Sequence, residues 1–216
     1  MTSAFIDLDP TQFDAVIFDL GGVIINIQYQ NTLAAFSRLC GFDITPLYTQ
    51  HRQAPLFDRF ETGQIDAPTF RDGLRQLLQL AAVADTDLDQ AWNAMLLDIP
   101  KSRIDLLQTL GGRKRLFLLS NTNAIHKARF DQIFAAAYGD RIGTLSELFE
   151  QDYYSHLMGD RKPNPGVFQT VINNHSLDPR RTLFIEDTHQ HIQGAQQVGL
   201  QTVHLQPNLD IVNLNL

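Results

Sequence analysis

The stretch AVIFDLGGVII at residues 15–25 constrains the fold more than any other part of the chain. It opens with four apolar residues, Ala15 to Phe18, and a run without alternating polar positions is typical of a strand buried on both faces. The run ends at the carboxylate of Asp19, and two glycines then allow a sharp turn and close approach to a ligand. Open α/β sheets bind ligands at the carboxyl ends of their strands. The same composition is common in simple turns, so this stretch alone leaves a site and a turn equally open.

The second half of the chain predicts alternating strands and helices. The apolar runs RLFLLS (115–120), TLFIE (182–186) and QTVHL (201–205) are predicted strands. A helix through Phe130 and Phe134, followed by an irregular stretch to about Leu157, is expected between the first two runs. Another helix is expected after Asn164, an N-cap followed by proline. This alternation indicates an α/β fold, a Rossmann-like parallel sheet with helices on both faces.

The segment at residues 28–98 contains no predicted strand. Its apolar spacing predicts one helix at NTLAAFSRLCG (31–41) and a second, short one that begins at Thr45-Pro46. A third is predicted after an N-cap at Asp66, with an apolar face from Phe70 to Ala81, and a fourth over residues 85–97. We therefore predict a small helical bundle at 28–98, inserted into a Rossmann-like core made of residues 1–27 and 99–216. A helical flank of a single domain is the alternative.

Composition limits the partners and the compartment. The 216 residues carry a net charge of −7 and include only four lysines, which argues against a nucleic-acid-binding surface. No stretch approaches the roughly 20 apolar residues of a membrane span, and the N-terminus does not resemble a secretory signal. The single cysteine, Cys40, suits a reducing compartment and is interpreted as a core residue. We expect a cytoplasmic protein without a membrane or nucleic-acid partner, either a monomer or a homodimer.

Polar residues end each of the three most apolar strands. Asp19 follows the first, Ser120-Asn121 end the second, and Glu186-Asp187 end the third. Because the carboxyl ends of parallel strands share one edge of the sheet, these groups are expected to converge. Lys162, in the loop GDRKPNPG before a predicted helix, is expected nearby, where a helix N-terminus favours anions.

These four segments, in this order, resemble the four motifs of the haloacid dehalogenase superfamily of hydrolases. FDLGGVI resembles the first motif, LLSNTN the second, the Lys-Pro of GDRKPNP the third and FIEDTHQHI the fourth. The resemblance spans nearly the whole chain and identifies the 28–98 bundle as a helical cap. FETGQI, at residues 60–65, is similar to the cap segment of a subgroup that contains bacterial sugar-phosphate phosphatases of the α-glucose-1-phosphate phosphatase type.

The resemblance implies a role for each matching residue. Asp19 would be the nucleophile that forms an aspartyl-phosphate. Asp19, Asp187 and the backbone carbonyl of Gly21 would hold Mg²⁺, the implied cofactor. Ser120 and the backbone at Asn121 would donate hydrogen bonds to the phosphoryl oxygens, and Lys162 would neutralise charge shared by Asp19 and the phosphate. The implied substrate is a small phosphorylated metabolite.

The sequence departs from the family pattern at two points. Phosphatases of this family carry a second Asp two positions after the nucleophile as general acid/base, and this chain has Gly21 there. A glycine cannot transfer a proton, a function worth roughly 10²- to 10⁴-fold in rate. The sugar-phosphatase-like subgroup shares this Asp-Leu-Gly pattern. Glu186 and His191 also stand where Asp and Asn are usual, and Glu186 is predicted to support the site without binding metal directly.

Other candidate sites are weaker. His189 and His191 are interpreted as exposed residues at a helix start and not as zinc ligands. Ser120 lacks the G-x-S-x-G pattern of a serine-hydrolase elbow, and Lys114 lacks the pattern of a phosphate-binding loop. Trp92 is interpreted as a core residue of the bundle.

We therefore expect a Mg²⁺-dependent phosphatase that hydrolyses a small phosphomonoester such as a sugar phosphate through an aspartyl-phosphate. Two alternatives remain at this point. One is another chemistry of the same superfamily, of the dehalogenase type, which would not require Mg²⁺. The other is a catalytically weak protein that binds a phosphometabolite or has a regulatory role, an interpretation motivated by Gly21.

Overall fold

A computed structural model of the protein describes residues 8–48 and 54–216. In chain order its strands and α-helices are β1 (Ala15–Phe18), α1 (Tyr29–Cys40), α2 (Pro55–Glu61), α3 (Ala67–Leu78), α4 (Asp85–Asn93), α5 (Lys101–Gly111), β2 (Arg115–Ser120), α6 (Ala124–Ile142), β3 (Gln151–Tyr154), α7 (Ser155–Met158), α8 (Pro165–His175), β4 (Thr182–Glu186), α9 (His189–Gln197) and β5 (Gln201–His204).

The five strands form one parallel sheet in the order β3-β2-β1-β4-β5. The apolar strand β1 lies at its centre, where Phe18 pairs with Leu118 of β2 and Ile185 of β4. All four residues of β1 are buried, as the unbroken apolar run predicts.

Helices cover both faces of this sheet, which confirms the predicted Rossmann-like α/β class. On one face, Val16 and Phe18 of β1 share a core cluster with apolar residues of α5 and α6. On the other face, Ala15 and Ile17 pack with apolar residues of α8 and α9. The alternation of side chains along β1 therefore distributes one strand between two separate cores.

Helices α1 to α4 pack around a second core cluster that is rich in aromatic side chains. Trp92 of α4 is 1% exposed and lies within 6.4 Å, ring centre to ring centre, of Phe36, Tyr48, Phe57 and Phe70. The interpretation of Trp92 as a core residue is confirmed. Such a core is what a helical bundle needs to hold its own shape, because each amphipathic helix must bury its apolar side.

The chain enters and leaves this bundle along a short antiparallel ribbon. Ile27 and Leu96 form an isolated antiparallel bridge, and the backbone N–H of Asn26 donates to the carbonyl of Asp98. The side-chain amide of Asn26 also donates to the Asp98 carboxylate at 2.9 Å. The two crossings between the sheet and the bundle therefore lie side by side.

One strand was absent from the sequence prediction. Residues 151–154, expected to be irregular, form the edge strand β3 beside β2. QDYY carries two polar residues, and only its last residue, Tyr154, is buried, so its sequence lacks the apolar run that revealed the other strands. Pairing with β2 and burial of Tyr154 hold it in the sheet.

Three helix predictions in the bundle need correction. Residues 45–47 form a single turn and not the predicted helix. Residues 49–53, which follow Tyr48, lie outside the described part. The helix predicted over 85–97 ends at Asn93, because the residues around Leu96 leave it to form the ribbon. Ala81 is exposed and lies beyond the end of α3. The predicted Asp66 N-cap is confirmed, since its carboxylate accepts from the Thr69 N–H.

Within the described residues, no helix combines the length and apolar character needed to cross a membrane.

Candidate active site

The candidate site lies where the strand order of the sheet changes direction. The chain adds β2 and β3 on one side of β1, and then β4 and β5 on the other. The crevice at such a switch point, outside the carboxyl ends of the strands, is where open α/β sheets bind ligands. Asp19 directly follows β1, and Glu186 and Asp187 lie at the end of β4. Sequence reasoning predicted this convergence from the strand ends alone.

A buried lysine joins two of these carboxylates. The Lys162 ammonium lies 2.6 Å from Asp19 Oδ1 and 2.7 Å from Glu186 Oε2. Lys162 is 1% exposed, although a lysine is normally a surface residue. Both partners are also buried, so the three charged groups form one desolvated cluster whose members depend on one another.

Asp187 completes a set of three carboxylates. One ligand atom from each of Asp19, Glu186 and Asp187 lies within 4.8 Å of the others. The backbone of Gly22, at φ +75°, packs directly against Asp187, and a Cβ there would lie 2.4 Å from Asp187 Oδ2. Glycine at 22 therefore serves both a left-handed backbone and a close approach to the carboxylate.

Ser120 and Asn121 lie at the same edge of the sheet, at the end of β2 and directly after it. Ser120 is buried at the end of β2, and both residues line a cavity of about 50 Å³ together with Gly21. The Asn121 amide is used inside the protein. Its Oδ1 accepts from the Lys162 backbone N–H at 3.0 Å, and its Nδ2 donates to the Lys162 carbonyl at 2.9 Å. The Asn121 side chain therefore fixes the backbone that carries Lys162.

Asn164, the predicted N-cap of the next helix, occupies that position without capping it. Its side chain makes no capping hydrogen bond, and its amide donates instead to Asp160 Oδ1 at 2.9 Å. Pro165 at the first helical position agrees with the prediction.

Glu186 is held by four contacts. Besides Lys162, its Oε2 lies 2.9 Å from His191 Nδ1, and its Oε1 accepts from the backbone N–H groups of Asp187 and Thr188 at 3.1 Å each. The prediction that His191 is exposed is therefore wrong, because its ring turns inward to this carboxylate. His189, in contrast, is exposed as predicted.

The electrostatics of the cluster favour added positive charge. Burial, followed by the charge of Glu186, raises the pKa of Asp19 to about 7 in spite of Lys162. Burial and the nearby Asp19 raise the pKa of Asp187 to about 8. Burial would also raise the pKa of Glu186, but Lys162 and the hydrogen bond from His191 hold it below its ordinary value. Three carboxylates against one ammonium leave two negative charges in excess when all are ionised.

One divalent cation would balance these two negative charges. Carboxylate oxygens are the ligands that Mg²⁺ prefers, usually one or two of them together with water and substrate phosphate. The residues present therefore fit such an ion. A larger concavity of about 660 Å³ elsewhere is lined by Lys114, Arg115 and Arg141 and contains none of these three acids, so chemistry and not size locates the site.

Sequence reasoning missed three polar residues next to this centre. Tyr29 of α1 and Glu61 of α2 line the cavity beside Gly21, and Arg161 contacts Glu61 from the loop that carries Lys162. These residues are far apart along the chain and belong to no pattern with fixed spacing. The FETG segment, which includes Glu61, was the one signal that pointed toward them.

Together, the fold and the site define an α/β protein with an acid–lysine centre at the switch point of its sheet. Comparison with protein-family profiles matches residues 13–199 to the haloacid dehalogenase-like hydrolases. Since this match covers most of the chain, the protein belongs to the haloacid dehalogenase-like hydrolase family, and the resemblance seen in its four motifs is confirmed.

Individual relatives refine this placement. A D-ribitol-5-phosphate phosphatase of Bacteroides thetaiotaomicron is 26% identical over 189 residues, 87% of this chain and 89% of the relative. A haloacid dehalogenase family enzyme of the same organism, solved as the wild-type protein with magnesium and inorganic phosphate, has a TM-score of 0.81 at 31% identity, covering 92% of this chain and 97% of that one. A predicted family hydrolase of Porphyromonas gingivalis has a TM-score of 0.80 at 27% identity, covering 89% and 91% of the two chains.

Proposed function

We propose that the protein is a Mg²⁺-dependent phosphatase that hydrolyses a small phosphomonoester of a sugar or polyol. The observation that carries this proposal is the buried cluster of Asp19, Lys162, Glu186 and Asp187 at the switch point of the sheet. Relatives of similar length act on ribitol 5-phosphate or bind magnesium and phosphate, which supports the same chemistry here.

In the proposed reaction, a carboxylate oxygen of Asp19 attacks phosphorus. The new bond joins this oxygen to phosphorus, the ester P–O bond breaks, and the leaving alkoxide takes up a proton from water, because Gly21 has none to give. Water then attacks phosphorus, the bond between phosphorus and the Asp19 oxygen breaks, and inorganic phosphate, a proton and the free Asp19 carboxylate result. Ser120 and the backbone at Asn121 would donate hydrogen bonds to the phosphoryl oxygens.

Positive charge is the main contribution of the site to this reaction. Asp19, Asp187 and the carbonyl of Gly21 would hold Mg²⁺, which supplies charge to neutralise the phosphate and the acids together. Lys162 would stabilise negative charge shared between Asp19 and the phosphoryl group. Glu186 would keep the Lys162 ammonium in place without binding the ion itself, which agrees with its contacts to Lys162 and His191.

We also propose that residues 28–98 act as a cap on a catalytic core of residues 1–27 and 99–216. The ribbon at Asn26 and Asp98 supports these boundaries, and a core cluster rich in aromatic side chains supports the bundle as a unit. Residues 1–7 and 49–53 of these ranges lie outside the described part. Closure of the cap would exclude water from the phosphoryl group.

In this interpretation, the protein acts in the cytoplasm as a monomer or homodimer on a small phosphorylated metabolite.

The proposal is tested by Asp19→Asn in a screen of phosphorylated sugars and polyols with Mg²⁺. We expect turnover by the unchanged protein and a loss of at least about 10³-fold in the variant, because an amide is a far weaker nucleophile. The fold should survive, since Lys162 keeps its contact with Glu186. Asp72→Asn, an exposed acid on α3, is the matched control and should retain full activity.

Two outcomes would contradict the proposal. Turnover by Asp19→Asn would show that the nucleophile is another group, and turnover that persists in EDTA would favour a metal-independent reaction of the dehalogenase type. The absence of any turnover, combined with a higher melting temperature in the presence of a phosphometabolite, would favour a binding or regulatory protein. Gly21 is the observation that keeps this last interpretation open.

A further inference from the structure

The cavity beside the acid cluster is apolar on its Gly21 side. A Cβ built on Gly21 would lie 2.5 Å from Cδ1 of Ile27, so the Ile27 side chain occupies the space into which a residue at 21 would project. Met95 and Leu96 also line this cavity. Gly21 itself has no side chain, so position 21 offers no acid to a leaving group.

Three polar side chains of the bundle, Tyr29, Tyr48 and Glu61, line the same cavity, and the Tyr48 ring packs on Trp92. Tyr29 comes from the first turn of α1 and Glu61 from the last residue of α2. Burial, followed by the negative charges of Asp187 and Glu61, raises the pKa of Tyr29, so this phenol is a neutral hydrogen-bond donor close to both carboxylates. Tyr29 and Glu61 together offer one hydroxyl and one carboxylate to a ligand in the cavity.

Arg161 fixes Glu61 in this position. Its guanidinium lies 2.7 Å from Glu61 Oε2 and 2.8 Å from Asp58 Oδ1, two acids one turn apart on α2. Glu61 is 6% exposed, so its charge is paired away from bulk water. Arg161 directly precedes Lys162, and one loop therefore contacts the acid cluster and the bundle through consecutive residues.

A second close contact holds this part of the bundle against the core. Gly63, at φ +67°, follows α2, and a Cβ there would lie 2.1 Å from the carbonyl oxygen of His156 in α7. Because that neighbour is backbone, it cannot move aside as a flexible side chain can. The turn after Glu61 is therefore seated directly on the core, next to the loop that carries Arg161.

We propose that Tyr29 and Glu61 form the leaving-group side of the active site, that Arg161 is the positioning residue that clasps Glu61 there, and that this pair selects a compact, uncharged, hydroxylated leaving group. This inference rests on the phosphatase function proposed above and assigns its substrate preference to named residues.

The chemistry of the two side chains defines the class of ligand. A phenol donates a hydrogen bond and a carboxylate accepts one, and an alcohol can do both in return. A second anion on the leaving group would face the Glu61 carboxylate, which disfavours carboxylated esters. A cavity of about 50 Å³ has room for a few water-sized groups, so it favours a compact leaving group of which only a few atoms enter it.

The test compares three esters on the full chain with Mg²⁺. Ribitol 5-phosphate has a hydroxylated leaving group, p-nitrophenyl phosphate has an aromatic one without aliphatic hydroxyls, and 3-phosphoglycerate has an anionic one. The variants are Tyr29→Phe, Glu61→Gln and Arg161→Lys, with kcat and KM measured separately for each ester.

We expect kcat/KM for ribitol 5-phosphate to fall about 5-fold in Tyr29→Phe, which removes a neutral hydrogen bond, and about 10-fold or more in Glu61→Gln, which removes the charge that strengthens the other hydrogen bond. Turnover of p-nitrophenyl phosphate should change less than about 2-fold, and 3-phosphoglycerate should improve relative to ribitol 5-phosphate in Glu61→Gln. Arg161→Lys should shift the same ratios in the same direction, since one ammonium cannot replace a guanidinium that contacts two carboxylates.

Matched controls separate selection from stability. Tyr153→Phe removes a hydroxyl bonded to His175, and Arg71→Lys weakens an ion pair between α3 and α4, so neither should alter the ratios among the esters. Equal losses on all three esters in the Tyr29 and Glu61 variants would overturn the assignment of the leaving-group side. If the unchanged protein hydrolyses none of the esters, the proposed phosphatase function itself fails.

Discussion

At the residue scale, the site depends on side chains that are placed by buried neighbours. Lys162 is fixed through its ammonium by Asp19 and Glu186, and through its backbone by the Asn121 amide. A lysine has high side-chain entropy, and these contacts remove most of that freedom before any ligand binds. Preorganised charge of this kind is the usual source of electrostatic catalysis.

Gly22 provides a residue-scale prediction. Gly22→Ala should lower phosphatase activity by at least about 10-fold, because the new Cβ would displace the Asp187 carboxylate from its present position. Gly41→Ala is the matched control, since Gly41 has a similar φ of +80° and a Cβ added there would meet nothing within 4 Å. Both variants should lose about 1 kcal/mol of stability from the left-handed backbone. Steady-state kinetics and urea unfolding measure the two effects, and equal activity in both variants would contradict the prediction.

The sequence was informative about individual residues where a pattern had fixed spacing. Asp19, Ser120, Lys162 and Asp187 were named from strand ends and motif order, and the structure brings them to one edge of the sheet. The inward turn of His191 could not be foreseen, because a histidine at a helix start is usually exposed and its partner Glu186 is itself an unusual residue for the family. Arg161 and Glu61 are 100 residues apart, and nothing local pairs them.

At the element scale, the predictability of a strand follows its burial. β1, β2 and β4 are buried nearly throughout, so most of their residues are apolar and each strand is recognisable in the sequence as an apolar run. β3 is an edge strand with one buried residue, and both its pairing with β2 and the burial of Tyr154 hold it in the sheet. Helix ends in the bundle were placed less well, because the ribbon at Leu96 competes with continuation of α4.

A buried polar network joins α4 of the bundle to α6 of the core. Asn123 Oδ1 caps α6 by accepting from the His126 N–H at 3.0 Å, and it also accepts from Trp92 Nε1 at 3.3 Å. The His126 ring stacks on Trp92 at 4.5 Å and contacts the Trp92 carbonyl through Nε2. Burial lowers the pKa of His126 to about 4, so the ring is neutral at physiological pH.

This network leads to an element-scale prediction. Asn123→Ala should lower the free energy of unfolding by about 3 kcal/mol, because it removes a helix cap and leaves the buried Trp92 N–H without its acceptor. Asp66→Ala removes the cap of α3 at an exposed site and should cost about 1 kcal/mol. Urea unfolding measures both. Equal losses would show that the link between α4 and α6 contributes nothing beyond capping.

At the scale of the whole molecule, charge balance links metal binding to stability. The raised pKa values of Asp19 (about 7) and Asp187 (about 8) mean that, without a cation, the folded protein binds protons more tightly than the unfolded chain. The protons bound to Asp19 and Asp187 contribute fully to stability below about pH 4, and this contribution is lost as the pH rises through the two raised pKa values. The free energy of unfolding of the protein without metal should therefore fall between about pH 4 and pH 8.

Mg²⁺ should reverse that loss. At a concentration about 100 times its Kd, we expect Mg²⁺ to raise the melting temperature by roughly 5–10 °C at pH 8, and by less at pH 5.5, where it must displace protons from Asp19 and Asp187. Thermal unfolding with and without EDTA at the two pH values measures this difference. Asp187→Asn should reduce the Mg²⁺ effect at pH 8, and an undiminished shift would place the ion elsewhere.

The ribbon between Asn26 and Asp98 has a consequence for how this molecule can be altered. Because the two crossings are hydrogen-bonded neighbours, the segment between them starts and finishes at a single location on the scaffold. Insertions with adjacent ends are the ones that hosts tolerate best. A chimera that receives the equivalent segment from another family member, joined at this ribbon, would keep its own sheet and carboxylates while acquiring a foreign helical bundle.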